Sequence, residues 1–285
     1  MRRTIMPEQN EATKETEYVL GTGLDELDRL AFQHRLWSDA AHAAWRRARI
    51  RIGQRVLDAG CGPGFASFDL AQIVTPRGAV VGVDESASFV AHLHEQAEAR
   101  RLPQLSAKIG DVQSLSEALA DEAPFDIAYL RWVLCFVPDP AKVIHGIAAA
   151  LKPGGRVVIH DYFHYESMTS APKSTAHERA IAATMESWRA RGGDTDVGGA
   201  LPRLLATAGL RVDIVDCHAR VARSSDTMFE WPKLWWSIYA PKLVDMGYLA
   251  AEDCEALLAH FRDLEASETS FIQCPTVYEF IATKV

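Results

Sequence analysis

The chain is expected to fold as an α/β protein on a doubly wound, mostly parallel sheet, and three observations point there. Between Gly53 and Asp161, short apolar runs alternate with helical patterns, as they do when each strand is followed by a helix crossing back over the sheet. The first run, V-L-D-A at 56–59, leads into G-C-G-P-G, a turn whose backbone most side-chain-bearing residues resist. Beyond Asp161, L-R-V-D-I-V-D-C-H-A-R-V (210–221) and T-V-Y-E-F-I-A-T-K (276–284) alternate with the period of two of half-buried strands. Five strands before Asp161 and two after it make seven.

The elements follow in order. Residues 1–23 are expected to be a frayed tail, since the first seventeen, MRRTIMPEQNEATKETE, are polar and lack the apolar core of a signal peptide. Residues 24–285 then form one domain. Leu24 to Arg49 reads as two short amphipathic helices, with Leu24, Leu27, Leu30 and Ala31 on one stripe, capping the core at 50–161. In that core the strands are R-V-L-D-A, A-V-V-G-V-D, S-A-K-I-G-D, F-D-I-A-Y-L and R-V-V-I-H-D. Between the fourth and fifth, a helix from Pro140 to Leu151 is stopped by Lys152-Pro153-Gly154-Gly155, which turns the chain back into the sheet. Helices at Ser174–Arg191 and Leu201–Ala208 end in Gly192-Gly193 and Gly209. Residues 227–267 separate the sixth and seventh strands, where a tight hairpin would suffice, and carry Phe229, Trp231, Trp235, Trp236 and Tyr239 before a helical pattern at Ala251–Ala266. An insertion of that length is usually functional, and a lid over the substrate is expected here, with a homodimer contact as the alternative.

The strand, glycine turn, helix and closing acid Asp84 form a nucleotide-binding layout: glycines let the backbone approach a ligand, and a carboxylate can accept from both hydroxyls of a ribose. The dinucleotide fingerprint G-x-G-x-x-G puts its third glycine five residues after the first. Phe65 stands there, and the third glycine comes one residue early at Gly64. That spacing argues against a nicotinamide oxidoreductase.

Composition excludes other classes. With 48% apolar residues in 285, the chain can bury a substantial core. Thirty Lys and Arg against 38 Asp and Glu leave a formal charge of −8 with no dense basic stretch, so nucleic acid is not an expected partner. Cys61, Cys135, Cys217, Cys254 and Cys274 form no C-x-x-C pair or Cys/His cluster with zinc spacing; they read as reduced thiols of a cytoplasmic protein, and no metal is expected. No apolar run is long enough to span a bilayer.

The run starting at Asp58, D-x-G-x-G-x-G, resembles the motif of class I S-adenosylmethionine-dependent methyltransferases. F-D-I-A-Y-L-R-W-V-L (125–134) is similar to that family's fourth strand, which ends at the methyl-transfer site, and L-K-P-G-G-R-V-V-I (151–159) to its turn into the fifth. The resemblance covers about Leu24 to Val285 and implies a last strand antiparallel beside the fifth. It implies S-adenosylmethionine as cofactor, bound by the core at 50–161, with Gly60, Gly62 and Gly64 against its methionine and ribose portions and Asp84 on the ribose hydroxyls. Gly110-Asp111-Val112 would hold the adenine, Asp111 accepting from its amine; the alternative for Asp111 is a helix cap. Arg131 could meet the cofactor carboxylate or form an ordinary salt bridge. Gln33 and His34 could close the methionine end or be helix-surface residues. In H-D-Y-F-H-Y (160–165), His164 is the candidate general base and Asp161 its orienting or substrate-binding partner, though positioning alone can suffice. The Asn/Asp-Pro-Pro-Tyr/Phe motif of many nucleobase methyltransferases is replaced by Leu130-Arg131-Trp132-Val133, and the aromatic insertion suits a small, partly apolar substrate. A cofactor-binding scaffold without turnover is the non-enzymatic alternative.

Overall fold

A computed structural model describes residues 24–285, with side chains from Glu26 onward; the expected frayed tail lies outside the described residues. In chain order the elements are α1 (Leu24–Arg47), β1 (Arg55–Ala59), α2 (Phe65–Val74), β2 (Ala79–Asp84), α3 (Ala87–Ala99), β3 (Leu105–Ile109), α4 (Leu115–Ala118), β4 (Phe125–Arg131), α5 (Pro140–Ala150) and β5 (Leu151–Tyr162). There follow β6 (Thr169–Ala171), α6 (Thr175–Arg189), α7 (Leu201–Thr207), β7 (Leu210–His218), β8 (Val221–Ala222), α8 (Glu230–Asp245), α9 (Ala251–Ala266), β9 (Phe271–Gln273) and β10 (Val277–Lys284).

The main sheet has seven strands in the order β3-β2-β1-β4-β5-β10-β7, parallel except for β10, which runs antiparallel to both neighbours. The expected sixth and seventh strands are therefore β7 and β10. Chain direction across the sheet reverses between β1 and β4, and in such sheets the crevice beyond the carboxyl ends at the reversal takes the ligand. Burial on both faces explains the near-continuous apolar strands. Val56 and Tyr129 pack under α1, α2 and α3, whereas Leu57, Ala128 and Leu130 face the layer containing α5.

Three expectations need correction. The N-terminal cap is one helix of 24 residues, because no Gly or Pro interrupts Leu24–Arg47 and its Ala40, Ala41, Ala44 and Trp45 are buried against the domain. The Pro/Gly corner after α5 lies within β5: pairing jumps from Phe125↔Leu151 to Ile127↔Arg156, and Gly154 takes φ +74° in the bulge between. A second sheet, β6-β9-β8, was not foreseen; its strands are two or three residues long, below the length at which alternation shows.

Helix starts follow their local chemistry. Asp139 caps α5 by accepting from Lys142 N at 3.2 Å with Pro140 in the first turn, and Ser86 caps α3 through Phe89 N at 3.3 Å.

Candidate active site

The β1 turn is held by Gly60 N and Cys61 N donating to Val83 O at 2.8 and 3.1 Å, which pins it to the end of β2. Its three glycines all have positive φ, but they do different work. A Cβ at Gly60 would lie 2.4 Å from Val133 Cγ2, and one at Gly64 2.7 Å from Leu93, so both are required by packing. At Gly62 nothing lies within 4 Å, so its backbone faces open space. Gly62 is the position at which a ligand can meet bare backbone.

Asp84 sits opposite. Its Oδ2 accepts from Gly62 N at 2.8 Å and its Oδ1 from Ser86 N at 3.0 Å. Burial raises its pKa, and these two amides oppose the rise. Each carboxylate oxygen retains acceptor capacity, as a diol requires. Below the turn, Asp58 is buried and accepts from Ser67 Oγ at 2.5 Å; burial pushes its carboxyl up to about 6. Asp111 lies next along the rim. It caps a 3₁₀ turn at Val112–Ser114 by accepting from Gln113 N at 2.8 Å, and its side chain is exposed, while Val112 is buried. Gln113 Nε2 also donates to both carboxylate oxygens, at 3.4 and 3.3 Å, long bonds that leave the exposed Asp111 carboxylate with acceptor capacity.

At the tip of β4, Arg131 Nη2 donates to His34 Nδ1 at 2.8 Å, which obliges His34 to carry its proton on Nε2, facing Asp69 Oδ2 at 3.0 Å. Burial lowers the His34 pKa, outweighing the hydrogen bond that His34 donates to Asp69. Arg131 Nη1 is buried without a partner, a cationic donor available to an anion. Gln33 Oε1 accepts from Arg29 Nη1 and from Trp231 Nε1, each at 3.0 Å, so Gln33 ties α1 to α8. Trp132 follows with φ +53°, a costly backbone for a bulky residue, which turns the chain across the crevice.

Aromatic rings form a wall beyond that turn. Trp37, Trp132 and Trp231 meet at centroid distances of 5.1–5.8 Å, and Trp132 stacks on Tyr162 at 6.1 Å. The indole N–H groups of Trp37 and Trp132 are buried without acceptors. Within the insertion, Phe229, Trp236 and Tyr239 are fully buried against the chain's own core. Trp231 is the one that reaches α1. Two open cavities, of about 300 and 370 Å³, lie away from this crevice, near Gly78 and near Met185.

The two candidate catalytic residues do not come together. Asp161 is wholly buried and accepts from Leu134 N at 2.9 Å, Cys135 N at 3.3 Å and Tyr162 N at 2.9 Å, so its carboxylate is spent holding the turn after β4; burial pushes it up to about 6. The expectation that it orients His164 or binds substrate is corrected on that ground. The His164 side chain is 58% exposed, with Nδ1 3.6 Å from Glu166. Asp69 and Trp37 were missed in the sequence. Trp37 could have been found from its helical spacing to Gln33 and His34; Asp69, on α2, gives no sequence signal.

Residues 50–209 match the family model of the methyltransferase domain. The chain is 32% identical to a trans-aconitate 2-methyltransferase from Variovorax paradoxus over 62% of this chain and 70% of that protein. To a ubiquinone biosynthesis O-methyltransferase from Stutzerimonas stutzeri it is 42% identical over 37% of this chain and 43% of the other. It spans less than two thirds of the length of several curated relatives, from 63% down to 43%. A crystal structure of a methyltransferase-like protein from Bacillus halodurans shares the fold, with a TM-score of 0.56 at 16% identity over 85% of this chain and 97% of that one. Among the described residues, no helix is long and apolar enough to cross a membrane.

Proposed function

The chain belongs to the methyltransferase domain family, with S-adenosylmethionine as its cofactor, and we propose that it transfers a methyl group to a small, partly apolar metabolite. One observation carries the cofactor assignment: Gly62 offers bare backbone to open space while its own N–H bonds the carboxylate of Asp84, setting a ribose acceptor beside a cradle free of side chains. Arg131 fits the same ligand, because its orphaned Nη1 can take the carboxylate of the amino-acid end.

When bound, S-adenosylmethionine supplies a methyl group on a sulfonium, open to in-line displacement. This chain's residues then contribute position. Asp84 and the Gly62 backbone orient the ribose, Asp111 stands at the rim where an adenine amine would seek an acceptor, and Arg131 and Gln33 bound the amino-acid end. The buried ring cluster of Trp37, Trp132 and Trp231 backs the crevice with apolar side chains, against which an acceptor entering it would be shielded from water. Trp231 comes from the 227–267 insertion, so that segment acts as the lid. We place the catalytic contribution in proximity: with Asp161 buried in a turn and His164 in solvent, proton loss from the acceptor falls to solvent unless the 163–167 loop turns His164 inward.

The relatives' names do not agree on an acceptor, one naming trans-aconitate and another ubiquinone biosynthesis; the aromatic wall favours the apolar kind. Calorimetry with S-adenosylhomocysteine and NAD, followed by transfer of a labelled methyl group to phenol, quinol, amine and carboxylate libraries, tests the reading. Binding of the first ligand and a labelled product among the phenols or quinols are expected. NAD binding alone would overturn the cofactor; cofactor binding with no product in any library would favour a scaffold.

A further inference from the structure

At the other end of α1 a second polar cluster stands outside the crevice. Strand register explains it. Glu279 on β10 pairs with His160 on β5 and with Asp216 on β7, and His218 lies two residues beyond Asp216, so the four side chains project from one face of the sheet. His160 Nε2 is 3.1 Å and His218 Nε2 3.2 Å from Glu279 Oε2, and the three potential donor atoms all lie within 4.8 Å of one another. The other carboxylate oxygen, Glu279 Oε1, is buried with no partner. Tyr129 Oη stands 3.5 Å from His160 Nδ1, behind the imidazole, where an orienting hydrogen-bond partner belongs.

We propose that His160, His218 and Glu279 bind a divalent transition ion of the zinc class, with the fourth position open. Two imidazole nitrogens and one carboxylate oxygen are an established donor set for such an ion, and they differ from the all-oxygen set that calcium or magnesium takes. His218, 18% exposed, marks the side of entry.

Arg47 is the resident competitor. Its Nη2 donates to Glu279 Oε2 and its Nη1 to Asp216 Oδ2, both at 2.6 Å. An ion that takes Oε2 displaces Nη2, while Asp216 keeps the guanidinium in place. Ion and arginine thus contend for one oxygen. Because Arg47 ends α1 and His218 packs 6.4 Å from the Trp37 ring, occupancy would be felt along the helix that walls the acceptor side.

The test is titration of the full chain with Zn²⁺ by calorimetry and with Co²⁺ by visible spectroscopy, beside His218→Ala, Glu279→Gln and Arg47→Ala. One ion per chain with tetrahedral Co²⁺ absorption is expected, weakened at least about tenfold in His218→Ala and Glu279→Gln and strengthened in Arg47→Ala. S-adenosylhomocysteine affinity in His218→Ala should match the wild type, which separates this site from the cofactor crevice. Absence of stoichiometric binding in both the wild type and Arg47→Ala, or equal binding by the wild type and His218→Ala, overturns the proposal.

Discussion

Removing the carboxylate of Asp84 should produce two separable losses. Oδ1 and Oδ2 hold Ser86 N and Gly62 N at 3.0 and 2.8 Å, and the proposed ribose adds two hydroxyl donors. Hydrogen bonds to a charged group contribute about 1.5–3 kcal/mol, so Asp84→Ala should weaken S-adenosylhomocysteine binding by roughly ten- to a hundredfold. The free protein should also melt a few degrees lower, since two amides lose their acceptor and Ser86 caps α3; about 1–2 kcal/mol at 2–4 °C per kcal/mol sets that scale. Asp84→Asn, keeping one acceptor oxygen, should fall between. Calorimetry reads the first loss and ligand-free thermal melting the second. An unchanged Kd in a folded Asp84→Ala variant would refute the ribose assignment, and an unchanged melting temperature would refute the structural share.

Gly62→Val should abolish cofactor binding and lower the melting temperature moderately, because its Cβ meets open space but φ +54° strains a β-branched residue, whereas Gly60→Val, strained at φ +74° and also driven against Val133, should lower it more; circular dichroism and calorimetry together separate them. Arg131→Ala should weaken S-adenosylhomocysteine about tenfold but leave 5′-methylthioadenosine, which lacks the amino-acid carboxylate, unaffected; equal losses for both ligands would contradict a carboxylate contact. Trp231→Phe keeps an aromatic ring and loses the donor to Gln33, so acceptor KM should rise more than cofactor affinity falls, while Trp236→Ala, wholly buried, should cost about 3–5 kcal/mol in denaturant melts. His177 is pushed down to about 3 from 6.5 by burial, with a further push from His260, so the folded chain binds fewer protons there and loses that stability as pH falls from 6.5 toward 3, roughly 2 kcal/mol by pH 5. Asp58 and Asp161, held up to about 6, act in the opposite sense, their contribution fading as pH rises from 3.8 toward 6. Comparing His177→Phe with the wild type across that range isolates the histidine, and identical slopes would remove it as the cause.

What could be read in the sequence was what depends on neighbours in sequence. The Gly60–Gly64 turn and Asp84 at the close of its strand are local chemistry, and local chemistry shows in the order of residues. The different roles of the three glycines were not visible, because Val133 and Leu93 arrive from elsewhere to crowd two of them. Asp161 was misjudged for the same reason: its partners, Leu134 N and Cys135 N, belong to the neighbouring strand's turn, and nothing in H-D-Y-F-H-Y announces that its carboxylate is already taken. The cluster of His160, His218 and Glu279 is one residue from each of three strands and has no spacing to recognise.

The position of β10 bears on how the chain comes off the ribosome. It lies between β5 and β7, yet every other described element precedes it in synthesis. At roughly 5–20 residues per second, β7 waits several seconds while α8, α9 and β9 are made, with its place in the sheet missing and the open edge of β5 unpaired. During that interval the nascent protein carries two strand edges able to recruit other chains. The make-up of β7 suits the delay: Leu210 is its one buried residue, and Arg211, Asp213 and Asp216 punctuate the rest with charge, which discourages pairing with a stranger until the proper strand emerges.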